Sequence, residues 1–166
     1  KEGDEIEIKP GRKTEIAGET KYIPIKTKIR SLFNGSKKVK VLTPGGSMSI
    51  ETTLDMVAGK SDVLGGNLAS LPGKLPNAQH EVTIAHTLFQ EIFTAAVHSK
   101  VEPIKKGELL MLSINTAITG GAVTSASEKE IKITLKVPAI FFKNDNVGIA
   151  RNINGHWRLI GYGEII

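Results

Sequence analysis

Apolar and polar residues alternate with a period of two along most of the chain, in short runs separated by Gly, Pro and Asn. Successive strand side chains point to opposite faces, so this period predicts half-buried strands. Over residues 1–10, a turn at Gly3 and Asp4 precedes Ile6 and Ile8, which alternate with Glu5, Glu7 and Lys9. Pro10 and Gly11 are predicted to end this strand, and the polar stretch 12–21 reads as a loop. From 22 to 33, Ile23, Ile25, Ile29 and Phe33 share one parity with Thr27 and Ser31, predicting a second strand long enough to bend around a small barrel. Asn34 and Gly35 give a hairpin signal with a returning strand over 37–41. Pro44, Gly45 and Gly46 stop that strand, 48–54 carries another, and the turn-forming stretch 65–76 closes the first half.

The densest apolar run is Leu109, Leu110, Met111, Leu112 and, after Ser113, Ile114, the pattern of a strand buried on both faces. Asn115 and Thr116 break it, and Gly120 and Gly121 read as a bend before Ala122, Val123 and Thr124. Residues 82–93 fit two templates. Ile84, Ala85, Leu88, Phe89, Ile92 and Phe93 make a helical stripe, slightly favoured by periodicity, whereas Val82, Ile84, His86 and Leu88 alternate. EIKITLKV over 130–137 alternates without interruption, placing Ile131, Ile133, Leu135 and Val137 inward and its lysines outward, with Pro138 at its end. Residues 144–146 turn into a further strand, and a last one, 156–166, is cut by Gly155, Gly161 and Gly163. Many short strands with such turns predict an all-β architecture of sandwiches or barrels.

Composition narrows the function classes. At 166 residues the chain makes one large domain or two small ones. It has no apolar run of the roughly 18 residues a membrane helix needs, and its start lacks the basic-then-apolar pattern of a secretory leader. It begins without Met and enters a strand almost at once, which reads as a piece of a longer protein. With no Cys, a disulfide framework and a thiolate metal site are both excluded, and a reducing setting is compatible. A net charge of +5 favours an anionic partner such as RNA.

Catalytic signatures are missing. Gly59, Lys60 and Ser61 do not form a phosphate loop, because Leu54 stands where its first glycine belongs. His80, His86, His98 and His156 show no zinc-ligand spacing and read as surface or rim residues. There is no G-x-S-x-G elbow. Glu5, Glu7, Glu128 and Glu130 sit beside lysines at alternate strand positions, the mark of a solvated face. A binding module is therefore predicted, not a catalyst, with no metal site of its own.

Particular motifs carry a resemblance. VEPI, the glycine before LLML, TAITGGAVTSA and the terminal HWRLIGYGEI resemble the third domain of the gamma subunit of archaeal and eukaryotic translation initiation factor two. GDEIEIKPG and the PGG, LD and LPG pattern resemble its second domain. The resemblance implies two tandem small β-barrels, domain II over 1–78 and domain III over 79–166, with a strand opening the latter. It implies an upstream GTP-binding domain that holds GTP and Mg and contacts the beta subunit, an alpha subunit docked on domain II, and a cytoplasmic setting. Methionyl initiator tRNA and the small ribosomal subunit are the implied RNA-bearing partners.

On this resemblance Arg12 and Lys60 stand where relatives carry a basic residue near the tRNA acceptor end. A loop Lys or Arg there would pair with phosphate and position RNA without reading its bases. Lys37, Lys38 and Lys40 form the densest basic cluster, a candidate for ribosomal RNA, and Arg151 and Arg158 are candidates for RNA or for the GTP-binding domain. Trp157 is expected to pack into the barrel. Glu51, Ser47, Met56 and Val57 depart from the family pattern, and a carboxylate at 51 would repel phosphate. Another translational GTPase with similar barrels, or a stand-alone β-barrel ligand-binding protein or enzyme, remain alternatives.

Overall fold

The computed structural model describes residues 1–16, 18–43, 45, 47–57, 63–93 and 98–166. Pro44, Gly46 and the Gly59 to Ser61 stretch, with Lys60, lie outside the described residues. Thirteen strands and no α-helix occur among the described residues. The chain divides into two compact units, Lys1–Leu75 and Pro76–Ile166.

In the first unit β1 (Glu5–Ile16) and β2 (Glu19–Asn34) form a long antiparallel pair. β5 (Leu68–Ser70) lies on the other side of β1, and β3 (Lys37–Val39) and β4 (Met48–Thr52) flank the far end of β2. The result is a curled half-barrel over a small core of Ile6, Ile29 and Leu32. Four expectations change here. β1 does not stop at Pro10 and Gly11, and 12–21 is no loop: Arg12 resumes the ladder opposite Ile23, with only Pro24 facing Lys9, Pro10 and Gly11. A bulge excuses the missing proline donors on both strands, so the breakers interrupt the pairing and not the strand. The hairpin turn is Gly35 and Ser36, because Asn34 pairs with Lys37. Ile23 is 50% exposed, and Leu32, not Phe33, is buried, since β2 shifts register against β4 between Ile29 and Ser31.

The fourth concerns the polar face of β1. Glu7 and Lys9 are buried, at 7% and 8% exposure. The turn-rich segment after residue 65 folds over them: Gly73 N–H donates to Glu7 Oε2 at 3.2 Å, Lys9 Nζ donates to the Leu75 carbonyl at 3.2 Å, and the two charges lie 3.5 Å apart. Each buried charge thus has a counter-ion and a backbone partner, the condition under which burial is tolerated.

The second unit closes. Six strands, in the order β10-β11-β6-β13-β12-β9, form an antiparallel barrel from β6 (Gln79–Leu88), β9 (Leu109–Ile114), β10 (Ala117–Ala126), β11 (Glu130–Ala139), β12 (Asn146–Ile153) and β13 (His156–Ile165). β7 (Glu91–Phe93) and β8 (His98–Lys100) make a separate ribbon. Residues 82–88 therefore follow alternation, with Val82 and Ile84 inside. Ile84, Leu110, Leu112, Ile114, Ile133, Ile149 and Ile160 are fully enclosed. Each such side chain contributes about 1.5–3 kcal/mol of burial.

The run 109–114 is not buried on both faces. Leu109 is 68% exposed and Ser113 is exposed, because a small closed barrel has one inner face and its strands must alternate. Gly120 and Gly121 lie within continuous β10, and the turn is at Asn115, whose φ is 51°. Val137 is 42% exposed: the Thr119 hydroxyl donates to its carbonyl at 2.8 Å and accepts its N–H at 3.2 Å, replacing the ladder at a register shift. Likewise Gly161 and Gly163 do not cut β13. They let it pass β6 closely, where a Cβ on Gly161 would lie 3.0 Å from Leu88 Cα and one on Gly163 2.5 Å from the Ala85 carbonyl.

Two adjacent glycines give a controlled test. A Cβ at Gly121 would meet the Thr134 carbonyl at 2.8 Å, whereas at Gly120 the nearest atom is 3.8 Å away. Gly121→Ala is expected to lower stability by about 1–3 kcal/mol and Gly120→Ala to change it by less than about 0.5 kcal/mol, measured by urea unfolding. In the first unit, Lys9→Ala leaves the Glu7 carboxylate buried without its counter-ion and should cost about 3 kcal/mol, read from the same unfolding curves.

Candidate functional site

The first unit places Arg12 as the residue leaving the bulge. Gly11 before it has φ 94°, and a Cβ there would lie 2.6 Å from the Ile23 carbonyl carbon, so only glycine fits. Pairing of β1 with β5 ends at Lys9 and Leu68, and from Arg12 onward β1 and β2 continue as a two-stranded ribbon. This ribbon carries exposed Arg12, Lys13 and Lys21 together with Ile16 and Ile23, 46% and 50% exposed. Lys37 and Lys38 are exposed on β3, where Lys38 Nζ lies 3.6 Å from Glu2 Oε1, and Lys40 is exposed just beyond. Lys60 lies outside the described residues.

Arg151 is engaged inside the barrel end. Its Nε and Nη2 both donate to the Glu108 carboxylate, Nη1 donates to the Glu102 carbonyl at 2.9 Å and Nη2 to the Pro103 carbonyl at 3.4 Å. A guanidinium has five donors, so four are occupied in clamping the segment before β9. Arg158 is its cross-strand neighbour and is half-buried.

The outer face of the barrel shows what periodicity missed. Leu109 pairs across from Ala122, Met111 from Gly120 and Ala150, Ser113 from Ile118 and Gly148, and Ala150 from Leu159. These pairs bring the outward residues of four adjacent strands into one apolar surface, with Ile118 70% and Leu159 54% exposed. Trp157 does not pack into the barrel. It is 43% exposed and lines an open groove of about 570 Å³ with Leu109, Met111, Gly120, Ala122 and Lys136. The inner face is filled by Leu110 and Leu112, which leaves Leu109 and Met111 on the outer face. Contiguous apolar surface of this kind marks interaction sites. The missed signal was the small outward set Gly120, Ala122, Gly148 and Ala150, which leaves a shallow floor between larger neighbours.

His86 is half-buried on β6 beside a second depression lined by Thr87, Lys129, Tyr162 and Glu164, and its Nδ1 has no hydrogen-bond partner. Burial pushes the imidazole below its ordinary value of 6.5, partly offset by the Lys129 backbone. Among the described residues no three His, Asp or Glu side chains converge as a metal-ligand set, and no helix is long and apolar enough to cross a membrane.

These features define an all-β protein of two units, one a closed six-stranded barrel with an apolar flank turned outward. Residues 80–165 match the family model described as initiation factor eIF2 gamma, C terminal. The whole chain aligns at 44% identity over 166 residues with the translation initiation factor 2 subunit gamma of Methanococcus vannielii. That of Aeropyrum pernix is 43% identical over 98% of the chain, and that of Pyrococcus abyssi 42% over 99%. The chain belongs to the eIF2 gamma family. It spans about 40% of the length of each of these relatives.

The histidine yields a pH prediction. Folded His86 binds its proton more weakly than the unfolded chain, so the stability it allows is present above pH 6.5 and is lost as pH falls through its lowered folded value. Unfolding free energy should fall on going from pH 7.5 to pH 5, and His86→Gln should flatten that part of the profile.

Proposed function

We propose that this chain is the non-catalytic binding portion of an initiation-factor gamma subunit, acting in the cytoplasm. In this reading the first unit is the domain II part, which holds the methionylated acceptor end of initiator tRNA through Arg12 and Lys60 and docks the alpha subunit. The second unit is domain III. GTP and Mg belong to an upstream domain of the whole factor, which also binds the beta subunit, and the assembly delivers tRNA to the small ribosomal subunit. Lys37, Lys38 and Lys40 face ribosomal RNA.

The observation that carries the reading of the second unit is the apolar outer face of β10, β9, β12 and β13. The barrel's interior is complete without these side chains, so their exposure serves a partner, and the GTP-binding domain of the same factor is the partner proposed. Lys136, which lines the groove, suits an acidic rim on that partner. The reading of the first unit is supported by the family and by Arg12 on a rigid bulge, where an immobilised backbone reduces the ordering cost of a phosphate contact.

The test titrates methionyl initiator tRNA and uncharged elongator tRNA against the full-length factor. Arg12→Ala and Lys60→Ala should each weaken initiator binding several-fold and reduce the slope of log K against log salt by about one. Equal, salt-independent affinity across all variants would remove the tRNA reading. For the apolar face, Leu109→Asp should leave barrel stability within about 0.5 kcal/mol yet make the GTP-bound factor more extended in small-angle scattering. An unchanged profile would separate that face from the GTP-binding domain.

A further inference from the structure

We propose that Asn67 is a positioning residue for Arg12, holding its backbone in place from 56 positions away in the chain. The proposal rests on the reading of Arg12 as an RNA contact. Its physical basis is a donor the sheet cannot satisfy. Three residues of β1, Lys9, Pro10 and Gly11, face only Pro24 of β2, so the ladder lapses there. Gly11 is buried, and its N–H would be a buried donor without a partner. Asn67 Oδ1 accepts it at 2.7 Å.

The amide of Asn67 is itself oriented. Its Nδ2 donates to the Leu64 carbonyl at 3.2 Å, and its backbone N–H donates to the same oxygen at 3.2 Å. With the nitrogen directed at a carbonyl, the oxygen is the atom turned toward Gly11. On the other side of Arg12, cross-strand pairing with Ile23 fixes the chain, and Gly11 has no room for a side chain that would let the bulge relax elsewhere. Arg12 therefore leaves a backbone pinned immediately before it by Asn67 and directly opposite it by β2, while its own side chain is exposed. A cation held this way meets a phosphate at less entropic cost than one on a free loop. Asn67 acts through the Gly11 backbone, and its assigned role needs no contact of its own with RNA.

Asn67→Ala keeps every charge, so it tests position separately from electrostatic attraction. In the full-length factor it is expected to weaken methionyl initiator tRNA binding on the order of fivefold, the scale of one hydrogen bond. It should lower the salt slope toward that of Arg12→Ala and add no further loss when combined with Arg12→Ala. Amide exchange at Gly11 should accelerate in the same variant. Unchanged Gly11 exchange overturns the latch whatever the tRNA result. Accelerated exchange with unchanged tRNA affinity, or losses that add fully in the double variant, overturns the positioning role while leaving an Arg12 contact standing. If Arg12→Ala alone has no effect, the RNA reading of Arg12 fails and the role assigned to Asn67 fails with it, identified by the single variant.

Discussion

The narrowness of a closed six-stranded barrel governs the second unit. Its interior accommodates one set of aliphatic side chains, drawn from alternate positions on each strand, and leaves no room for more. Strands bending tightly around that interior approach each other closely at β10 with β11 and at β13 with β6, and there the chain has Gly121, Gly161 and Gly163. The same narrowness pushes every other residue of the LLML run outward. Core and exposed apolar surface are consequently two faces of one strand, joined by a single register.

Where the barrel ends, polar side chains replace the ladder. Arg151 ties β12 to Glu108 and to the carbonyls of Glu102 and Pro103. Asp145 does comparable work at another corner, its Oδ2 accepting from Asn115 Nδ2 at 2.7 Å and from the Phe142 N–H at 2.8 Å. These bonds satisfy backbone groups that leave the sheet, which a small domain with many turns must do repeatedly. A cation recognised in a sequence can thus be structural rather than available, and Arg151 shows how completely a guanidinium is taken up by two carbonyls and one carboxylate.

The first unit depends on a different device. Its apolar core is small, and stability is supplemented by the segment that folds across β1 and encloses Glu7 and Lys9 as a mutually neutralised pair. That covering segment also delivers Asn67 to the bulge. One excursion of chain therefore both buries the pair and reaches the start of the basic ribbon, which links the unit's stability to the geometry of that ribbon.

Sequence alone determined the all-β class and most strand positions, because alternation and turn residues are local properties of the chain. The motifs at 101–126 and 156–165 likewise pointed to the family that the comparisons identify. Tertiary structure decided which face of each strand is inside. Glu7 and Lys9 read as solvated until a segment more than sixty residues away covers them, and Leu109 and Trp157 read as core until the barrel closes with its interior already full. Proline and glycine at 10 and 11 read as an end until Pro24 on the facing strand shares the gap left by Pro10 and Asn67 accepts the Gly11 N–H. In each case the outcome depends on a partner distant in sequence, and alternation along one strand carries no information about what the opposite strand or an overlying loop will bring.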